Sequence, residues 1–320
     1  MAELDTHEWE LLTATLRKTM AAADRRDVDA ALAELGWPEL LAEAPTVAAS
    51  TVCRLLGETG SHASVLDDIV GHAAQSADAG PIPLPFAGGM WVVWDRESEP
   101  GRSLDEELPL RTVATGAELP SAALAAGRHA LGWWLLGTGH AMLTLARRHV
   151  VERKQFGRPL ASFQAVRHRL AETLVALEGA EAVLNMARDD LGAMLGTADD
   201  NRSATPGTAG DDRGTAAGTA DNLGTILGTA DSDLGALPDH SRNALGAMLG
   251  KAAAGQAALT AARHCQQVLG GIGFTSEHDL HRHVRRTLVL DGLFGSTREL
   301  SREAGAYIRA AGAAPRLAQL

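Results

Sequence analysis

Apolar positions along the chain recur mostly at helical spacings of three and four rather than in strict alternation, which predicts a mostly α protein. From Leu11 to Ala74 they mark short amphipathic helices, broken at "ELGWPELL" and "LLGETGSHAS", with Ser61 or Ser64 as the cap ahead of "VLDDIVGHAA". Between Gly80 and Pro120 the pattern changes. "GPIPLPF", "GMWVVWDRE" and "LRTVATGAEL" are short β-branched or aromatic runs separated by Gly, Pro and charge, enough for a few strands and too few for a barrel. Leu119 to Glu152 then forms one long apolar helix, followed by the turn "FGRP" and a second helix from Ser162, its expected cap, to about Met194. A further helix spans Asn243 to Leu269 and is ended by "GGIGFTS". The last helical stretch begins near Asp279 or Arg298, breaks at "DGLFGST" and stops by Ala311. Four long helical segments with short connections predict an antiparallel bundle.

These patterns divide the chain into an N-terminal helical domain (1–79), a reduced β domain (80–118) and a C-terminal four-helix bundle (119–195 and 241–320). Residues 196–240 stand apart: Gly-Thr-Ala units repeat there, eight Asp face two Arg, and no core periodicity is present. The segment is bracketed by the near duplicates "LGAMLGTAD" and "LGAMLGKAA", and it is expected to be a low-complexity, flexible insertion, tolerated because loop closure entropy grows only logarithmically with length.

Composition narrows the function. The chain has 320 residues, 45% hydrophobic and only 4% aromatic, ample for a buried core. A formal net charge of −11 excludes nucleic acid or an anionic membrane surface as the main partner, since either would be repelled. "MAELDTHEWELL" lacks the basic start and apolar run of a signal peptide, and no long apolar window exists for a membrane span, so the expected location is the cytoplasm. Cys53 and Cys265 have no metal-ligand spacing and are expected to be reduced core thiols.

Against this acidic background two stretches concentrate positive charge. Arg147 to Arg169 holds seven Lys or Arg against the single acid Glu152, and His281 to Arg286 reads "HRHVRR". A solvated helix face explains either one alone. Beside the second, however, "QQVLGGIGFTSEHDL" sets Gly270, Gly271 and Gly273 between two helices, with Ser276 and Asp279 at capping-box spacing, so that backbone N–H groups at a helix start can meet an anion. The glycine spacing is not that of a Rossmann fingerprint, and a helix precedes it where a strand would be required. His278, His281 and His283 are not spaced as metal ligands, and no metal site is expected. Neither a Gly-x-Ser-x-Gly elbow nor a Cys with a recognisable base is present.

Taken together, "VVERKQFGRPLASFQAVRHRLAE" and "CQQVLGGIGFTSEHDLHRHVRR" resemble the two most specific signatures of the acyl-CoA dehydrogenase family. The resemblance covers Leu119 to Met194 and Asn243 to Arg309 well and extends more loosely through the N-terminal helices. It implies an N-terminal helical domain, a middle β domain and a C-terminal four-helix bundle that oligomerises. It also implies an FAD whose ADP half is held by the "ERKQFG" and "Q-x-x-G-G" turns while the flavin ring lies in the neighbouring subunit. Carried across by residue, the cofactor-binding positions are Arg153, Gln155, Phe156 and Gln164 from the first motif and Gln267, Gly270 and Gly271 from the second.

The chain departs from the family where the chemistry is done. The family's reaction removes a proton beside a thioester and passes hydride to the flavin, and it needs a carboxylate base. That Glu lies either in a Tyr-Glu-Gly-Thr loop, where this chain reads "LFGST" with Phe294 at the base position, or before an Arg early in the first bundle helix, where Gly127 precedes Arg128. Both base positions lack a carboxylate. The "TEP-x-A-G-S-D" and "K-x-x-I-T-N" segments, which in the family contact the isoalloxazine and substrate, are absent as well. The resemblance therefore implies a non-catalytic, FAD-completing subunit of a heteromeric α2β2 acyl-CoA dehydrogenase of the kind associated with bacterial sterol side-chain degradation. A full-length acyl-CoA dehydrogenase partner would supply the base and share the FAD, and the substrate would be a bulky acyl-CoA. Two alternatives remain: a self-sufficient flavoenzyme using Asp291, beside "LFGST", as an unusual base, or a purely structural partner in which Arg153 and the glycine turn serve packing and capping.

Overall fold

The computed structural model describes residues 6–23, 27–76, 80–94, 105, 107–200 and 239–311. Five helices precede the first strand: α1 (Thr6–Ala22), α2 (Val28–Glu34), α3 (Trp37–Glu43), α4 (Pro45–Thr59) and α5 (Val65–Ala74). Their breaks are set by backbone chemistry. Gly36 (φ 78°) caps α3 ahead of Pro38, and Gly60 (φ 69°) closes α4, both in the left-handed region that a side chain disfavours. Ser64 is the residue before α5, as expected, but its hydroxyl donates to Asp29 Oδ1 (3.0 Å) and ties α5 to α2 instead of capping a free amide.

All three predicted strand runs are strands: β1 (Leu84–Phe86), β2 (Met90–Trp94) and β3 (Leu110–Val113). They form one antiparallel sheet in the order β1-β2-β3, registered by Leu84 opposite Val92 and Val92 opposite Thr112.

The bundle begins with α6 (Ser121–Glu152), whose residues are buried almost without interruption from Ala123 to Leu143. A helix apolar on every side must be central, and α6 packs against α4 on one flank and α8 (Asp239–Leu269) on another. The α4 crossing is backbone on backbone. A Cβ at Gly57 would collide with the carbonyl of Trp134, and one at Gly137 with that of Arg54, so only glycine fits at either position. α7 (Gln164–Asp200) packs on α8, and α9 (Leu280–Gly292) and α10 (Thr297–Ala311) close the bundle.

Two expectations are corrected. Ser162 does not start α7. It lies in a 3-10 turn, its hydroxyl donates to the carbonyl of Pro159 (2.7 Å), and the helix begins at Gln164. Helix also continues at both edges of the expected insertion 196–240, as α7 runs to Asp200 and α8 begins at Asp239. No proline follows α7 before Pro206, and residues such as Leu195 and Ala198 favour its continuation. The remainder of that segment, 201–238, lies outside the described residues. Among the described residues no helix is long and apolar enough to cross a membrane.

Candidate functional site

The "ERKQFGRP" segment is a tight β-hairpin. α6 ends at Glu152, Arg153 turns extended, and β4 (Lys154–Gln155) pairs antiparallel with β5 (Arg158–Pro159), the carbonyl of Arg153 accepting from the amide of Leu160 (2.9 Å). Phe156 (φ 52°) and Gly157 (φ 76°) form the two-residue loop, both left-handed. Asn-Gly would be the ordinary choice for such a loop. A Phe held there, 90% exposed with its ring edge to face with Phe163 at 6.2 Å between centroids, is not explained by packing among the described residues. The Arg158 guanidinium stacks over Phe163 at 4.3 Å, while Arg153 and Lys154 are exposed.

The second motif lies at the same end of the bundle. Rings of His149, in the last turn of α6, and His278, before α9, meet edge to face at 6.3 Å. Near the start of α7, Arg169 (3.1 Å) and Thr173 (2.9 Å) both meet the ring of His264 in α8, one turn before Gln267. Burial, reinforced by Arg153 near the first and Arg169 near the second, holds the His149 and His264 imidazoles below their usual range. Gln267 is exposed at the end of α8, and Gly270 (φ 65°) opens the 3-10 turn Gly270–Phe274. Gly273 must be glycine because a Cβ would lie 2.8 Å from the carbonyl of Gln266. Gly271 is different: its φ is not positive and a Cβ would meet nothing within 4 Å, so nothing in this chain requires glycine there. Exposed Phe156, Phe274 (66% exposed) and Gly271 thus share the cationic end of an acidic protein with Arg153 and Gln267, and Gln164 opens α7 beside them. The exposed Arg153 guanidinium at this end offers paired donors suited to the phosphates of an external anionic cofactor.

Gly127 and Phe294, the two positions where the resemblance expects a base, are 167 residues apart in sequence and converge. A Cβ on Gly127 would lie 2.7 Å from Cζ and 2.8 Å from Cε1 of Phe294, so the phenyl ring fills the space in front of Gly127. Phe294 is 1% exposed and sits at φ 55°, followed by Gly295 at φ 94°. Such a conformation costs a bulky residue about 1–3 kcal/mol and persists only when its surroundings enforce it. Here the Phe294 amide donates to the carbonyl of Pro85 in β1 (2.7 Å), and the Phe294 carbonyl accepts from Arg128 Nε (3.2 Å). Burial depresses the Arg128 pKa, and Glu303 at 3.4 Å opposes the shift. Lys251, fully buried in α8, donates to the carbonyls of Asp291 and Gly295 on either side of Phe294. Its desolvation lowers its pKa to about 8 against the pull of Asp291. Asp291 is not a free base: its Oδ1 accepts from Thr297 Oγ1 (2.5 Å) and Thr297 N (3.2 Å) at the start of α10, and it lies 3.9 Å from Lys251 Nζ.

The "HRHVRR" charge turns inward. Arg286 is 3% exposed and pairs with Asp105 (2.6 Å), Arg282 pairs with Glu107 (3.0 Å), and Arg286 also donates to the carbonyls of Gly60 and Ser61. These residues lock α9 to the end of α4 and the entry to β3. The three histidines point to separate tasks: His278 Nδ1 accepts from the Leu280 amide, His281 Nδ1 meets the His278 carbonyl, and His283 is buried beneath Gly60 with its pKa pushed down to about 4 by burial and Arg286. Lys251 and the Asp105–Glu107 pair escape sequence reasoning. A single Lys between apolar turns in "LGKAAAG" is the one signal the first gives.

Comparison with known proteins places this geometry. Residues 114–198 match the model of the acyl-CoA dehydrogenase C-terminal domain. A glutaryl-coenzyme A dehydrogenase in complex with glutaryl-CoA superposes with a TM-score of 0.65 at 13% identity, covering 100% of this chain and 99% of its own. This is the acyl-CoA dehydrogenase fold. A variant of the Tcur3481-Tcur3483 steroid ACAD shares it with a TM-score of 0.62 at 16% identity, covering 96% of this chain and 99% of its own. In sequence, the chain is 31% identical over 253 residues to acyl-CoA dehydrogenase FadE34 of Mycobacterium tuberculosis (strain ATCC 25618 / H37Rv), 73% of this chain and 28% of that protein. It is 29% identical over 167 residues, 52% of this chain, to acyl-CoA dehydrogenase IpdE2 of the same strain, covering 36% of that relative. The chain thus spans about a quarter to a third of the length of these curated relatives. Residues 114–198 thus match the family's C-terminal domain, the relatives in sequence are named acyl-CoA dehydrogenases, and the fold is that of the family's solved structures.

Proposed function

We propose that this chain is the non-catalytic, FAD-completing subunit of a heteromeric acyl-CoA dehydrogenase. One observation carries the proposal: Gly127 and Phe294, the two positions at which the family places its base, lie in contact, and the phenyl ring occupies the space a carboxylate would need. Asp291, the alternative base, is already committed to Thr297. The cationic hairpin and the bare glycine turn are meanwhile retained at one end of the bundle. FAD supplies the hydride acceptor in this family, and here Arg153, Gln155, Phe156, Gln164, Gln267, Gly270 and Gly271 would hold the ADP half of an FAD whose flavin ring rests in a full-length partner of an α2β2 assembly. That partner would provide the base for oxidation of the acyl-CoA to the 2,3-enoyl-CoA. A bulky, steroid-type acyl group follows from the resemblance to the shortened subunits, and one fold neighbour is itself a steroid ACAD.

Arg153→Ala tests the assignment. Arg153 is exposed, so assembly should persist, while retention of FAD by the complex should weaken by about tenfold or more, the scale of one lost charge-assisted contact. Unchanged flavin content in the intact complex would favour the purely structural partner.

A further inference from the structure

Thirteen residues back along α6 from Arg153, roughly 20 Å at helical rise, a second set of polar groups meets between α4, α6 and α7. His140 comes from α6, and Glu178 and Glu181, three residues apart, come from one face of α7. One nitrogen and two carboxylate oxygens from these residues lie within 4.8 Å of one another. Among the described residues His140 Nε2 is buried with no hydrogen-bond partner, and Glu181 Oε2 is 3.8 Å away, too far for a hydrogen bond. A buried ring nitrogen left unpaired calls for an explanation. Two ligand atoms each about 2.1 Å from a shared cation at a tetrahedral angle stand about 3.4 Å apart, which is close to the separation seen.

The surroundings fit such an ion. Glu181 divides its oxygens: Oε1 accepts from Arg54, leaving Oε2 toward His140. Arg54 also donates to Glu58 (3.0 Å) and lies over the Trp133 ring at 5.8 Å, and Arg17 takes the other Glu58 oxygen (2.5 Å). The three glutamates exceed the two arginines by one charge, so the pocket remains anionic after its ion pairs are formed. Arg54 is then an outer partner that orients Glu181 rather than its full counterion. We infer that His140, Glu178 and Glu181 form a binding site for a first-row divalent metal ion of the zinc class, with water completing its coordination. An imidazole nitrogen with carboxylates suits such an ion better than magnesium or calcium, which take oxygen alone. The ion would pin α6 to α7, and the inference stands independently of the flavin assignment.

The test uses the untagged, full-length chain, with its partner if it requires one, stripped of metal and titrated with Zn2+ by calorimetry and with Co2+ by visible absorption. The inference predicts one ion per chain in the micromolar range, a rise in Tm with Zn2+, and a Co2+ spectrum of nitrogen and oxygen ligation. Glu178 is exposed, so Glu178→Gln should fold as the parent does, and both it and His140→Ala should weaken binding at least tenfold. His278→Ala should leave binding intact. Failure of the folded chain to take up metal would overturn the inference. Uptake unaffected by Glu178→Gln and His140→Ala would overturn it too, as would uptake lost in His278→Ala instead.

Discussion

A glutamate at position 127 would have to displace the ring of Phe294, which is held by the Pro85 carbonyl, Arg128 and, through the flanking carbonyls, Lys251. Gly127→Glu should therefore destabilise the chain by at least about 1–3 kcal/mol from overpacking, with a further cost for a buried carboxylate, and should create no dehydrogenase activity in the isolated chain. Thermal unfolding and a turnover assay on purified Gly127→Glu protein check both; robust turnover would show that a complete flavin and substrate pocket exists in this subunit after all. Counting along the sequence is enough to single out Gly127 and Phe294, because each sits a fixed distance from a recognisable motif. Their contact could not be counted, since it depends on how α6 meets the α9–α10 turn. Lys251 was equally hidden: its role is defined by two backbone carbonyls 40 and 44 residues away.

At the level of elements, the long helices were legible because three- and four-residue periodicity persists over many turns, and glycine marks several of their ends. The end of α7 was not, since Ala and Leu in the Gly-Thr-Ala repeat carry no strong stop. The "HRHVRR" charge also misled. Its partners Asp105 and Glu107 lie about 180 residues upstream, so the local sequence shows cations where the structure has an internal ion-pair network. The α4–α6 crossing offers a sharper test of how the helices join. Gly137→Ala puts a methyl group against the Arg54 carbonyl, and the helices must separate to admit it. The expected loss is about 1–3 kcal/mol, read as a lowered Tm in differential scanning calorimetry. A surface glycine such as Gly179, whose Cβ would meet nothing within 4 Å, should tolerate the same change and, lying inside α7, should gain slightly from it.

On the scale of the whole molecule, the chain combines the acyl-CoA dehydrogenase fold with a Phe294 ring packed over Gly127 and an outward-facing cationic edge. Exposed Phe156 at a left-handed turn, exposed Phe274 and an unconstrained Gly271 are costs or freedoms that this chain alone does not explain, and all three lie on that edge. A shared cofactor at a subunit boundary accounts for them together. The most direct test is the flavin absorbance and native mass of this chain purified alone and then co-expressed with a full-length acyl-CoA dehydrogenase from the same genome. The account predicts a colourless lone chain and a yellow heterotetramer carrying about two flavins for every four chains, as a cofactor completed across each unlike pair in a symmetric α2β2 assembly requires. A yellow homo-oligomer of this chain that oxidises acyl-CoA unaided would contradict it.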